Sequence, residues 1–141
     1  MILKKFSFVA CLVAIFALTG CGKGNQVVCT MSQDASGMSM KQTVKLDIKS
    51  DKVEAASVDM DVTLDDAYKS YKSMLISSVK SEFASLESEF NTKINVKETS
   101  NGFKVSFKLT KAALESEFGS EATGTKAEAI KSFEAAGYTC K

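Results

Sequence analysis

Histidine, arginine, tryptophan and proline are all absent from this chain of 141 residues. The first two absences exclude the most. Without histidine there is no ordinary imidazole acid–base catalyst, no Ser-His-Asp triad and no imidazole metal ligand. Without arginine there is no rigid guanidinium fork for a two-pronged grip on phosphate or carboxylate. An enzyme built from this composition would depend on carboxylates, lysine or tyrosine. No Cys-x-x-Cys pair, glycine-rich phosphate loop or serine elbow is present either. A long hydrophobic run is also lacking: the apolar stretch from Phe6 to Ala17 is about a dozen residues, well short of the ~20 a membrane-spanning helix needs.

What that short stretch does fit is a secretory signal. Lys4 and Lys5 give a positive head, residues 6–17 a greasy middle, and Leu18-Thr19-Gly20-Cys21 a small-residue ending. That ending resembles the bacterial lipobox, in which cleavage falls just before the cysteine and its thiol carries a diacylglyceryl group. Residues 1–20 are therefore expected to be a lipoprotein signal peptide and Cys21 the lipidated residue. The competing reading is a plain secreted protein with an ordinary thiol at Cys21. Two or more acyl chains hold a protein stably at a bilayer where one does so only marginally, so the anchor needs no transmembrane helix. The expected location is the bacterial cell envelope, outside the cytoplasm and attached to a membrane.

Removing residues 1–20 leaves 121 residues, about one domain's worth, and turns the formal charge from +1 to −1. No bulk electrostatic attraction to nucleic acid remains, and nucleic acid is not an expected partner. Of four cysteines, Cys11 leaves with the signal and Cys21 carries lipid, so Cys29 and Cys140 are left. An oxidising compartment favours joining them. Closing a loop of that length is worth roughly 4–5 kcal/mol in a chain-entropy account. Two buried free thiols acting as small hydrophobes are the alternative.

Residues 21–26, polar and glycine-rich, read as a tether, and 27–141 as a single domain. Val27, Cys29 and Met31 alternate with Val28, Thr30 and Ser32. Met38, Met40, Val44, Leu46 and Ile48 alternate with Ser39, Lys41, Thr43, Lys45, Asp47 and Lys49. Both patterns are half-buried strands, and Asp34-Ala-Ser-Gly37 supplies the turn between them. Ser50-Asp51 turns the chain into a third strand, Lys52 to Val62, with Ile48 opposite Val53. There the apolar phase moves from odd to even positions, which predicts a β-bulge near Ala55-Ala56.

Thr63, with Asp66 three residues on, looks like a helix cap. Leu64, Tyr68, Tyr71, Leu75, Val79, Phe83, Leu86 and Phe90 then recur every three or four residues, which predicts one helix of about 40 Å. Ser100-Asn101-Gly102 reads as a hairpin turn pairing Ser100 with Phe103, Val96 with Phe107 and Ile94 with Leu109. Thr110 is placed as the cap of a short helix ending at Phe118, and Thr125 with Glu128 as a capping box for another that stops before Gly137. Tyr138-Thr-Cys140 leaves that helix extended. The expected fold is α+β: a two-layer sandwich with an antiparallel sheet of about five strands, covered by one long helix and one or two short ones.

Three clusters invite chemistry. Asp59, Asp61, Asp65 and Asp66 suggest Ca²⁺ but lack the glycine and glutamate of a calcium loop, and are read as a wet strand face followed by a helix N-terminus. Met31, Met38, Met40 and Met60 could offer thioethers to Cu(I), yet the same alternation predicts core filler. Tyr68, Lys69, Tyr71 and Lys72 could line a ligand groove, although their spacing is that of the helix's buried stripe. No catalytic residue, cofactor or metal site is assigned.

With the lipobox, Lys49-Ser-Asp-Lys-Val53, Asn101-Gly102 and the ending Phe133-Glu-Ala-Ala-Gly-Tyr138, the chain resembles the YehR-type family of small bacterial lipoproteins. The resemblance implies a sheet covered by helices and brings no activity with it. The expected role is non-enzymatic: a membrane-anchored domain that presents a surface to an unidentified protein or small-molecule ligand. The alternatives are a carrier holding a small molecule between sheet and helices and, more remotely, a carboxylate- or lysine-based enzyme.

Overall fold

The structure, a computed structural model, describes residues 26–141. The expected signal peptide, the lipidated Cys21 and most of the tether lie outside the described residues, and Gln26 already belongs to the first strand. Six strands form one antiparallel sheet: β1 (Gln26–Ala35), β2 (Met38–Lys49), β3 (Lys52–Leu64), β4 (Asn95–Thr99), β5 (Gly102–Thr110) and β6 (Thr139–Cys140). Their order across the sheet is β4-β5-β3-β2-β1-β6. Three helices, α1 (Lys72–Phe90), α2 (Lys111–Phe118) and α3 (Lys126–Ala135), complete an α+β fold.

The alternating strands put their apolar phase on the covered face, where Cys29, Val44, Val58 and Phe107 form one row across four strands. The opposite phase, including Lys41, Lys45, Asp61 and Lys104, faces water. Beneath the helices the core has two parts. One joins Val27, Leu46, Ala56 and Leu109 to Leu114 and Phe133 of α2 and α3. The other joins Met60, Val62, Phe103 and Val105 to Ile76, Phe83 and Leu86 of α1. Phe90 and Phe107 pack against both and mark the seam.

Several local expectations shift. The bulge falls one residue early: Asp47 faces Ala55 and Ile48 faces Val53, leaving Glu54 without a partner. The sixth strand, β6, is a two-residue tail beside β1, too short for periodicity to reveal. Thr63 does not cap a helix, because Thr63 and Leu64 remain in β3 opposite Ser39 and Met38. Asp65 makes the turn instead, its carboxylate accepting from the amides of Ala67 at 3.1 Å and Tyr68 at 3.3 Å. After a 3₁₀ turn over Lys69–Tyr71, α1 begins at Lys72, and its 19 residues span about 28 Å rather than 40.

The β4–β5 hairpin is shifted by two residues, with Thr99 facing Gly102 and Val96 facing Val105. Each residue keeps its face because the shift is even. Gly102 lies in β5 rather than in the turn: a Cβ there would meet the Val62 carbonyl oxygen at 1.9 Å. Close approach of two backbones, not turn geometry, is what requires glycine at this position.

At the starts of α2 and α3 the side-chain caps form as the residue spacing predicts. Thr110 accepts from the Ala113 amide, and Thr125 and Glu128 form a reciprocal capping box.

Candidate functional site

The two ends of the sheet differ. At one end lie Gln26, where the described chain begins, the β2–β3 turn and the β5–α2 junction. At the other lie the β1–β2 turn, the end of β3 and the Ser100-Asn101 turn, tied together by Asp65 N–H donating to Gly37 O and Leu64 N–H to Asn101 O. The ten residues of β1 separate the two ends by about 30 Å.

At the end away from Gln26 the chain exposes its large apolar side chains. Tyr68 is 39% exposed, Tyr71 52% and Met74 60%. The spacing that suggests a buried stripe is therefore overturned here: Tyr68 and Tyr71 lie before α1 begins and stand exposed. Tyr68 lies against Gly37, where a Cβ would come within 2.2 Å of its ring, and its ring centroid is 6.4 Å from that of Tyr71. The neighbouring lysines are engaged. Lys69 is bonded to Asp66, while Lys72 reaches Glu98 at 2.7 Å and donates to the Thr99 carbonyl at 3.1 Å. These lysines hold the Asp66 and Glu98 carboxyls below their ordinary range. The result is an aromatic and thioether surface with a charge-balanced rim.

A second feature is internal. At the seam between the two halves of the core a cavity of about 40 Å³ opens outward past Phe90, Ile94, Glu117 and Phe118. Val58, Met60, Phe83, Leu86, Phe107 and Leu109 make its walls apolar, and Gln42 supplies a carboxamide. Gln42 is 6% exposed and stands between Met31 and Met60 in its cross-strand row. Its partner on the other side is Tyr138, 5% exposed, whose phenol oxygen lacks a partner in good hydrogen-bond geometry. Burial pushes the Tyr138 phenol up to about 12, with Gln42 offsetting part of the shift. Gln42 has no role in the expectations drawn from sequence. Its signal is present nonetheless, as a polar residue in the apolar phase of β2.

The remaining candidates separate. Asp59 and Asp61 face the open side of the sheet, Asp61 taking Lys104 at 3.1 Å, while Asp65 makes the turn and Asp66 holds Lys69. Among the described residues no group of three or more histidine, cysteine, aspartate or glutamate side chains could hold a metal ion. Met31, Met38, Met40 and Met60 share the covered face, but only Met60 is buried. Cys29 and Cys140 face each other across β1 and β6, with Cα atoms 4.0 Å apart and their sulfurs bonded. Mutual hydrogen bonds between Val28 and Lys141 continue that pairing. Among the described residues no helix is long and apolar enough to cross a membrane.

No family model and no curated protein matches this chain. Among solved structures it is similar to a protein from Streptococcus pneumoniae TIGR4 determined by NMR, at 10% identity and a TM-score of 0.43, over 94% of this chain and 95% of that one.

Proposed function

We propose that this chain is a lipid-anchored, extracytoplasmic domain of the YehR type that acts by contacting another protein, with Tyr68, Tyr71 and Met74 as the contact surface. The observation that carries this reading is the exposure of those three side chains at the end of the sheet remote from Gln26. An anchor on Cys21 would hold the domain by the opposite end, which leaves the patch free to meet something beyond the anchoring membrane. Tyrosine and methionine are enriched where proteins meet. The lysines beside them are already neutralised by carboxylates, which favours a protein over an anionic lipid or nucleic acid. Lack of histidine and arginine supports a role in binding rather than catalysis.

The test has two arms. Intact mass of membrane-extracted protein should show a diacylglyceryl-modified amino terminus at Cys21, whereas an unprocessed chain in the cytosol overturns the anchoring. In living cells a photo-reactive residue at position 71 should give a discrete protein adduct that Tyr68→Ala abolishes. The same residue at position 45, on the open sheet face, should give none. Equal adducts from both positions, or none from 71, overturn the patch as the contact surface.

The seam cavity favours the carrier reading, in which a small molecule lodges between sheet and helices.

A further inference from the structure

We infer that Met31, Met40 and Met60 form a site for Cu(I): three thioethers brought together by neighbouring strands, with the Gln33 carboxamide oxygen beside them. The site is independent of the contact surface at Tyr68, Tyr71 and Met74 and of the carrier reading, and it survives the failure of either.

The register places the donors. Met31 faces Gln42 and Gln42 faces Met60, so one row across β1, β2 and β3 carries a thioether on each side of a carboxamide. In the next row Gln33 faces Met40. Met40 is therefore the diagonal neighbour of both Met31 and Met60 on the covered face. Diagonal neighbours lie about 7–8 Å apart, a separation that long side chains bridge, and methionine has the rotatable bonds to do so. Met38 falls one row further on, opposite Leu64, and takes no part.

Core filling is the competing account of these residues, and their exposure argues against it. Of the three, only Met60 is buried, at 6%, whereas Met31 and Met40 are half-buried. A half-buried thioether is within an ion's reach without the core having to open.

A second, independent observation points to a ligand. Among the described residues, the buried side-chain atoms without a hydrogen-bond partner are Gln33 Oε1 and Tyr138 Oη. Both residues belong to this neighbourhood. Gln33 Nε2 donates to Met31 Sδ at 3.7 Å, and a Cβ on Gly137, the residue before Tyr138, would stand 3.7 Å from the same sulfur. Tyr138 itself is 5% exposed. Buried oxygen lone pairs are sustained by a partner, and a cation serves where no N–H is at hand.

The donor set selects the ion. Every side chain in these two rows is neutral: Met31, Gln42, Met60 and Val105 in one, Gln33, Met40, Val62 and Phe103 in the other. Hard divalent ions need carboxylate and water oxygens to replace their hydration. Thioethers select Cu(I), a monovalent ion whose burial among neutral donors costs less than that of a divalent one. Other soft donors are spent or missing, because Cys29 and Cys140 are bonded to each other and histidine is absent.

The test uses the full chain, labelled at its methionine methyl groups, with free thiols first capped by N-ethylmaleimide. Cu(I) added anaerobically as its acetonitrile complex should shift the Met31, Met40 and Met60 resonances together, saturate at one equivalent, and leave Met74 in place. In competition with bicinchoninate, each of Met31→Leu, Met40→Leu and Met60→Leu should weaken Cu(I) binding at least about 10-fold, as loss of even an indirect partner of a metal ligand does. Leucine nearly conserves the volume in each case. Met38→Leu and Met74→Leu should bind as wild type does.

Met74 shifting in step with the other three would mark an adventitious ion only and overturn the site. So would the absence of any shift, Met31→Leu or Met40→Leu binding Cu(I) undiminished, or Zn²⁺ reproducing the shifts. Should Met60→Leu not fold, the half-buried Met31 and Met40 decide the matter, and both must show the loss for the site to stand.

Discussion

Gly102→Ala tests the register on which the end of the sheet away from Gln26 is built. In β5 an added Cβ would stand 1.9 Å from the Val62 carbonyl oxygen, 2.8 Å from the Val62 carbonyl carbon and 3.2 Å from the Thr63 Cα. All three are backbone atoms of the neighbouring strand, so no side-chain rotation relieves the clash. The strands must part at the Thr63–Gly102 pair, close to where Leu64 N–H donates to Asn101 O at 2.7 Å. Overpacking of this kind costs about 1–3 kcal/mol, and each hydrogen bond lost contributes about 1 kcal/mol more. The sum is about 3 kcal/mol or somewhat above.

Gly119→Ala supplies the control. Gly119 has φ of +88° and no atom within 4 Å of where a Cβ would stand, so only the backbone penalty of about 1–2 kcal/mol applies. With a urea m-value of about 1–3 kcal/mol/M for a domain of this size, Gly102→Ala should lower the midpoint by roughly 1–2 M, clearly more than the control. If Asn101-Gly102 formed the two-residue turn that the sequence suggests, Gly102 would suffer only the same backbone penalty as Gly119. Equal midpoints for the two variants would therefore refute the register and, with it, the placement of Gly102 against β3.

Three further outcomes follow from the geometry. The Tyr138 phenol, raised to about 12 from 10.0, binds its proton more tightly when folded, so its contribution is whole below pH 10 and fades as pH climbs toward 12. Wild type should lose up to about 2–3 kcal/mol across that window, Tyr138→Phe should lose less, and parallel denaturation curves would contradict the assignment. Reducing the Cys29–Cys140 bond, or Cys140→Ser, should lower stability by as much as about 4–5 kcal/mol. It should also speed hydrogen exchange at Val28 and Lys141, the amides that hold β6, whereas exchange indifferent to reductant would show that the bond does not secure that edge. Thr125→Ala removes the acceptor for the Glu128 amide and should cost about 1 kcal/mol in thermal unfolding; a variant as stable as wild type would mean the box does not hold α3.

How far the sequence discloses this molecule depends on whether a feature is periodic or contextual. The β1–β2 and β2–β3 hairpins, the Ile48–Val53 pairing and the caps at Thr110 and Thr125 all follow from residues within a few positions of one another. The bulge is legible as a change of phase, though not its exchange of Ala55 for Glu54 as neighbour to the slip. Thr63 misleads because it satisfies a local capping pattern, while its pairing with Ser39 and Gly102 on either side holds it in the sheet. Gly102 misleads in the same way: Asn-Gly is a strong local turn signal, but the approach of Val62 comes from a strand some forty residues earlier.

The two candidate sites expose a deeper difference. The stripe that includes Tyr68 and Tyr71 tells which side chains share a side of the chain, and it cannot tell whether a second element covers them; that depends on where β3 ends and where the helix after it begins. Delaying the helix from Leu64 to Lys72 is what uncovers the two tyrosines, because the residues in between are used to leave β3 through Asp65 and pass over Gly37. Gln42 is the converse case. Its strand and phase are readable, and a polar residue in an apolar phase is a violation that only a partner can stabilise. That partner is in part Tyr138, nearly a hundred positions later in the chain. Both sites thus arise where a local rule gives way to tertiary placement, and the violation at Gln42 is the one a single strand's pattern is able to reveal.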